Sequence, residues 1–210
     1  MKDGCVGFYW TLPVNWADFR SLPGDVEAAA ERSRTIRYQM ERVRRWADEH
    51  AIRIIDEIAF IDTRTDRATA DCREALVRAR RRCGETDASL VYVKFHEINL
   101  WRYNPHIRSF SAELGFEPIE LSPDPITIGA EQFDPIRHFN EWRKRDQEGK
   151  ANLRQRATAG VDAARAEIPE GPGRYKAIAD RLNAQGTKTV QGRAWTAENV
   201  RKLLKNKPLE

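Results

Sequence analysis

Over the first 121 residues the hydrophobic period switches repeatedly between two and three-to-four, and this alternation constrains the fold more than any single residue does. Strand-like runs at residues 6–14, 52–61, 89–95 and 116–121 are rich in β-branched and aromatic side chains. Between them lie stretches of helical spacing. Residues 25–50 carry Ile36, Met40, Val43 and Trp46 on one side, residues 70–82 are closed by Cys83-Gly84, and residues 105–114 stop at Gly115. Strands separated by helices are joined by crossovers, and crossovers make neighbours parallel. The expected fold class is therefore α/β: a mainly parallel sheet flanked by helices on both faces.

After Pro125 the pattern changes. Residues 131–167 are charged and rich in Ala and Arg, with Phe139, Leu153, Ala157, Val161 and Ala164 spaced along them and no proline after Pro135. As one helix this stretch would span roughly 50 Å at 1.5 Å per residue, which is long for an element inside one compact domain. It is expected to extend outward or to lie against a partner. Two ordinary helices, bent or broken at Gly149 or Gly160, are the alternative. Ile168-Pro169-Glu170-Gly171-Pro172-Gly173 then reads as a linker, since two prolines and two glycines in six residues cannot continue a helix.

A small helix-turn-helix-like domain is expected beyond the linker. Residues 175–184 place Ile178, Ala179 and Leu182 on one helix face, and Gly186 sits at the C-cap. Residues 187–194 form a polar, basic turn. Trp195-Thr196 opens a last helix, with Thr196 as N-cap and Val200, Leu203 and Leu204 facing inward. The expected organisation is an α/β domain over 1–130, a long helix over 131–168 and a terminal domain over 169–210.

Charge distinguishes these parts. The net charge is +4 over 210 residues, yet residues 171–210 hold nine Lys/Arg against three acids, so the first 170 residues are slightly acidic. Concentrated basic charge in a small module suits a polyanion, because each neutralised phosphate releases condensed counterions. A solvated basic face would have the same composition. No apolar run approaches the roughly 20 residues needed to span a bilayer, and Met1-Lys2-Asp3-Gly4-Cys5 lacks the layout of a secretory signal, so a cytoplasmic location and no membrane partner are expected. Cys5, Cys72 and Cys83 form no CxxC pair and read as reduced structural thiols; no metal or other cofactor is expected. Leu209-Glu210 carries no functional weight.

The terminal residues resemble a known family. Tyr175-Lys176-Ala177-Ile178-Ala179-Asp180-Arg181-Leu182-Asn183-Ala184-Gln185-Gly186, followed by Gly192-Arg193-Ala194-Trp195-Thr196-Ala197-Glu198-Asn199-Val200-Arg201-Lys202-Leu203-Leu204, is similar to the DNA-binding segment of serine site-specific recombinases. Ser33 to Gln39 running into Val43-Arg44-Arg45-Trp46-Ala47, and Ser111 to Leu121, resemble more faintly the first helix and a later helix-to-strand step of the resolvase/invertase catalytic domain. The stretch from Glu131 falls where these recombinases carry a dimerisation helix. The resemblance implies a mini-core of Ile178, Ala179, Leu182, Trp195, Val200 and Leu204. It also implies a last helix offering Thr196, Asn199 and Lys202 to a major groove, with Lys188, Arg193 and Lys205 near phosphates and Arg201 as a further DNA-binding residue.

The family's chemistry does not carry over. Its Tyr-x-Arg-x-Ser pattern, aligned on Tyr9, finds Thr11 for the arginine and Pro13 for the nucleophilic serine. The arginine-bearing motif after the third strand reads Lys94-Phe95-His96-Glu97-Ile98-Asn99-Leu100, with an acid where a cation would steady the developing charge on phosphorus. Only Arg67 loosely matches a third family arginine. Thr11, Ser21 and Ser33 are the candidates for a displaced nucleophile, and His96-Glu97 reads as a strand-end polar cluster. Residues 15–25 form a longer loop than the family carries there, able to cover the former active site or to bind a partner. The expectation is a non-enzymatic, sequence-specific reader of double-stranded DNA, homodimeric through the long helix, with a protein partner possible at the α/β domain. The rivals are an active recombinase with an unrecognised nucleophile and a protein-interaction module whose DNA contact is incidental.

Overall fold

The computed structural model describes residues 2–14, 17–64, 67–95 and 104–205. They fall into two compact units, residues 1–14 with 19–141 and residues 142–210 with 15–18. No helix of the described residues is long and apolar enough to cross a membrane.

The first unit holds a four-stranded, all-parallel sheet of β1 (Gly4–Thr11), β2 (Arg53–Ile61), β3 (Ala88–Val93) and β4 (Ile119–Leu121), in the order β2-β1-β3-β4. Its helices are α1 (Val26–Arg32), α2 (Arg34–Glu49), α3 (Cys72–Thr86) and α4 (Pro105–Glu113). Two adjacent residues of β2 show that both faces are covered. Asp56 accepts from Arg82 of α3 at 2.8 Å, whereas Glu57 takes Nε and Nη2 of Arg44 on α2 at 3.0 and 2.6 Å. Successive strand residues point to opposite faces, so α2 and α3 lie on opposite sides of the sheet. The expected α/β architecture is present.

The central strand β1 is buried along its whole length. A Cβ on Gly7 would lie 2.3 Å from the Tyr9 hydroxyl oxygen, so the Tyr9 ring lies back over the bare backbone of Gly7 and its hydroxyl donates to Glu57 at 2.7 Å. Burial, together with the neighbouring Glu57 carboxylate, holds the Tyr9 phenol well above its ordinary pKa.

Several element boundaries differ from the expectations, each for a local reason. The helix expected over 25–50 is two helices. Ser33 between them is extended (φ −134°, ψ 110°), its backbone N–H closing α1 onto Ala29 and its hydroxyl accepting from the Ile36 N–H to open α2. The helix expected to close at Cys83-Gly84 runs on to Thr86 and ends at Asp87, which takes up the left-handed conformation (φ 49°). The fourth strand is only three residues long. The long helix, expected from Glu131, begins at Pro135, because Ile126–Ile128 (β5) and Glu131–Phe133 (β6) form a short antiparallel hairpin turned by Gly129 (φ 61°). From there α5 (Pro135–Glu167) is one unbroken helix, through both Gly149 and Gly160.

In the second unit α6 (Arg174–Ala184) and α7 (Ala197–Lys205) pack with the later turns of α5. Ala157, Val161 and Ala164 of α5 join Ile178, Ala179, Leu182, Trp195 and Val200 in one buried cluster, with Leu203 and Leu204 partly buried against it. Helices of 11 and nine residues enclose little core alone, and a third helix supplies the missing wall. Gly160 lets this wall come close, since a Cβ there would stand 3.1 Å from Leu182 Cδ2.

Candidate nucleic-acid interface

The turn between α6 and α7 is built by the sequence at three points. Gly186 (φ 70°) follows α6, with its N–H on the Asn183 carbonyl and the Thr187 N–H on the Leu182 carbonyl, a Schellman-type ending. Thr189, 4% exposed, then exchanges backbone hydrogen bonds with Gly192 and Arg193 and accepts the Arg193 N–H on its hydroxyl at 3.1 Å. Finally, the Asn183 side chain takes the Trp195 N–H and donates to the Trp195 carbonyl, fixing the approach to α7. Thr196 caps α7 as expected, its hydroxyl accepting from the Asn199 N–H at 3.2 Å.

Of the nine cations counted in the sequence, four have structural work. Arg174 donates to the Arg165 carbonyl at the end of α5 and pairs with Glu170; Arg181 pairs with Glu167; Lys176 meets Asp180 at 2.8 Å; and Arg201 forms a two-pronged pair with Glu198 at 2.9 and 3.0 Å. Lys202 also reaches Glu198, more loosely, at 3.7 Å. Lys188, Arg193 and Lys205 are exposed and have no acidic partner among the described residues. Lys207 lies outside the described residues.

On α7, Glu198, Arg201, Lys202 and Lys205 are exposed, whereas Asn199 is half-buried and Val200 is fully buried. Of the three residues expected to face a major groove, Thr196 and Lys202 are exposed and Asn199 flanks the core-facing side. The expectation overlooked Glu198. It sits in the first turn of α7, and its spacing of three and four from Arg201 and Lys202 was the available signal. The Arg201 hydrogen bond holds the Glu198 carboxyl below its ordinary pKa and raises the Arg201 guanidinium in return.

The C-terminal end of the parallel sheet, where open α/β sheets place ligands at a switch in strand order, lies beside β1 and β3. Trp10, Tyr38, Phe95, Phe133 and Phe139 form a continuous series of ring contacts with centroids 4.7 to 6.5 Å apart. Gln39, fully buried, accepts the Trp10 N–H and donates to the Trp10 carbonyl, taking the place of a strand where the pairing of β3 with β1 has ended. Thr11 and Pro13 are buried. Ser33 is occupied as a cap, Ser21 is exposed in a loop, and Arg67 is exposed after β2. His96 and Glu97 lie outside the described residues. Phe19, within the stretch 15–25, exchanges paired backbone hydrogen bonds with Val14.

The three cysteines are free and buried. Burial pushes Cys5 and Cys72 each up to about 11 and raises Cys83, so none is a poised thiolate at neutral pH.

Residues 168–209 match the protein-family model described as Recombinase. The match relates this C-terminal segment to recombinases; it does not extend into the α/β unit. No curated protein and no solved structure matches the chain.

Proposed function

We propose that this recombinase-related chain is a sequence-specific double-stranded DNA-binding protein, a relative of the serine recombinases that lacks their nucleophile and acts in regulation or as an accessory, architectural factor. The observation that carries the reading is the coincidence of the recombinase match with a small three-helix unit whose cations Lys188, Arg193 and Lys205, without an acidic partner among the described residues, lie on the inter-helix turn and at the end of the last helix. In this reading α7 enters the major groove with Thr196, Asn199, Arg201 and Lys202, and these three cations, Lys188, Arg193 and Lys205, meet phosphates. The chain works as a homodimer through α5. Two modules on one duplex then multiply a modest single-module affinity through effective concentration.

Catalytic silence in this reading is supported by Pro13, buried where the family has its serine, and by the buried aromatic cluster of Trp10, Phe95 and Phe139. Fluorescence anisotropy with a labelled duplex tests the DNA-binding half. Replacing Lys188, Arg193 and Lys205 together by Ala should weaken binding and reduce the slope of log K against log salt by about 0.9 for each lost phosphate contact. Unchanged affinity and slope would remove the interface assigned here. A denaturing gel tests the other half: a covalent protein–DNA adduct on a bound duplex would show that the chain cuts after all.

A further inference from the structure

The acid in the first turn of α7, on its exposed face, needs explaining, because a carboxylate set against DNA repels every phosphate it approaches. Glu198 is exposed, yet its two oxygens engage Arg201 at 2.9 and 3.0 Å, and Lys202 stands 3.7 Å away. One acid therefore occupies two of the cations on the face assigned to the groove, while Lys188, Arg193 and Lys205 have no acidic partner among the described residues. Surface pairs at this spacing contribute only marginally to a helix, and an acid in the first turn gains a comparably small interaction with the helix dipole that needs no partner at Arg201 or Lys202.

Resting on the DNA-binding reading above, we propose that Glu198 is a specificity-determining residue: it withholds Arg201 and Lys202 from indiscriminate phosphate binding and reads a cytosine in the bound site. The chemistry follows from what each partner offers. On an arbitrary duplex the cations stay with Glu198, and the carboxylate meets only acceptors and negative charge. Where a cytosine presents its N4 amino group in the major groove, the carboxylate accepts that hydrogen bond, and Arg201 and Lys202 turn to neighbouring phosphates or base edges. The acid thus raises the cost of wrong sites more than it improves the right one, which is how a specific surface built on a nonspecific attraction gains selectivity.

The test compares the full chain with its Glu198→Gln and Glu198→Ala variants, using selection of duplexes from a random pool and anisotropy on a random-sequence duplex across a salt series. Glu198→Gln keeps the shape and removes the charge. It should bind the random duplex several-fold more tightly, with the salt slope steeper by about one to two as Arg201 and Lys202 are freed. It should also change the selected site at one position from cytosine to adenine, because a Gln amide matches the adenine N6/N7 edge. Glu198→Ala should tighten nonspecific binding equally and leave that position without preference. If the wild-type chain selects a sequence and both variants select the same one with the same salt slope, the role of Glu198 is overturned and the DNA-binding reading stands. If the wild-type chain binds no duplex even at low salt, both fall together.

Discussion

Asn183, near the end of α6, holds the backbone of Trp195 with both ends of its side-chain amide: Oδ1 accepts the Trp195 N–H at 2.8 Å and Nδ2 donates to the Trp195 carbonyl at 2.9 Å. The pair ties the first short helix to the residue that introduces the second, and Trp195, 5% exposed, is the largest side chain in that unit's core. Position and packing of α7 thus depend on one residue 12 positions away. Replacing Asn183 by Ala leaves a backbone N–H and C=O without their partners. It should destabilise the C-terminal unit by about 1–3 kcal/mol, read as an earlier transition in chemical denaturation. DNA affinity should fall with it although Asn183 is not assigned a DNA contact. Asn183→Asp, which retains the acceptor and loses the donor, should fall between.

Gly160 gives a second, sharper test of the three-helix core. Alanine there gains roughly 1 kcal/mol of helix propensity, but its Cβ would press on Leu182 Cδ2 at 3.1 Å. The tip of a leucine can shift by a few tenths of an ångström, so Gly160→Ala should be close to neutral. Gly160→Val adds two methyl groups where Leu182 and Thr187 already stand, and overpacking of this kind costs about 1–3 kcal/mol. If α5 did not pack against α6, both substitutions would stabilise the helix or leave it unchanged.

The sequence made the alternation of strands and helices legible because burial on a sheet and burial on a helix impose different periods. All four strands of the parallel sheet, and the long helix followed by two short ones, were readable in this way. What escaped was set by contacts distant in the chain or by single capping groups. Ser33 interrupts no hydrophobic period, and only its hydroxyl on the Ile36 N–H and its extended backbone divide α1 from α2. The β5–β6 hairpin has three residues per strand, too few for a period, though Gly129 marked its turn. In the second unit the inward faces of α6 and α7 were legible residue by residue, but their third wall, Ala157, Val161 and Ala164, read as part of an outward-reaching helix because the partner lay beyond a linker. For the candidate interface, composition counted cations without seeing that Arg174 caps α5 and that Glu198 engages Arg201.

The buried thiols make the chain's response to alkali predictable. Burial raises Cys5 and Cys72 to about 11, above the ordinary value near 9 that each regains on unfolding. Below pH 9 both states hold the proton and nothing changes. Between pH 9 and about 11 the unfolded chain loses these protons while the folded chain keeps them, so stability falls as pH rises through that window. Denaturation midpoints measured from pH 8 to pH 11 should decline, and the decline should lessen in a Cys5→Ala, Cys72→Ala double variant measured against its own value at pH 8. At pH 8 a thiol reagent should label no cysteine until denaturant is added; rapid labelling of the native chain would show that these sites are open.

The proposed role of α7 is to read base sequence in duplex DNA. The most direct measurement is the ratio of affinities for a duplex selected from a random pool and for the same duplex scrambled, in the wild-type chain and in Asn199→Ala, at fixed salt. A base-reading α7 requires a wild-type ratio on the order of 10³ or more. In the variant it should fall by about one to two powers of ten, the loss expected for one base contact, with affinity for the scrambled duplex nearly unchanged. Equal affinity for selected and scrambled duplexes in the wild-type chain would contradict it.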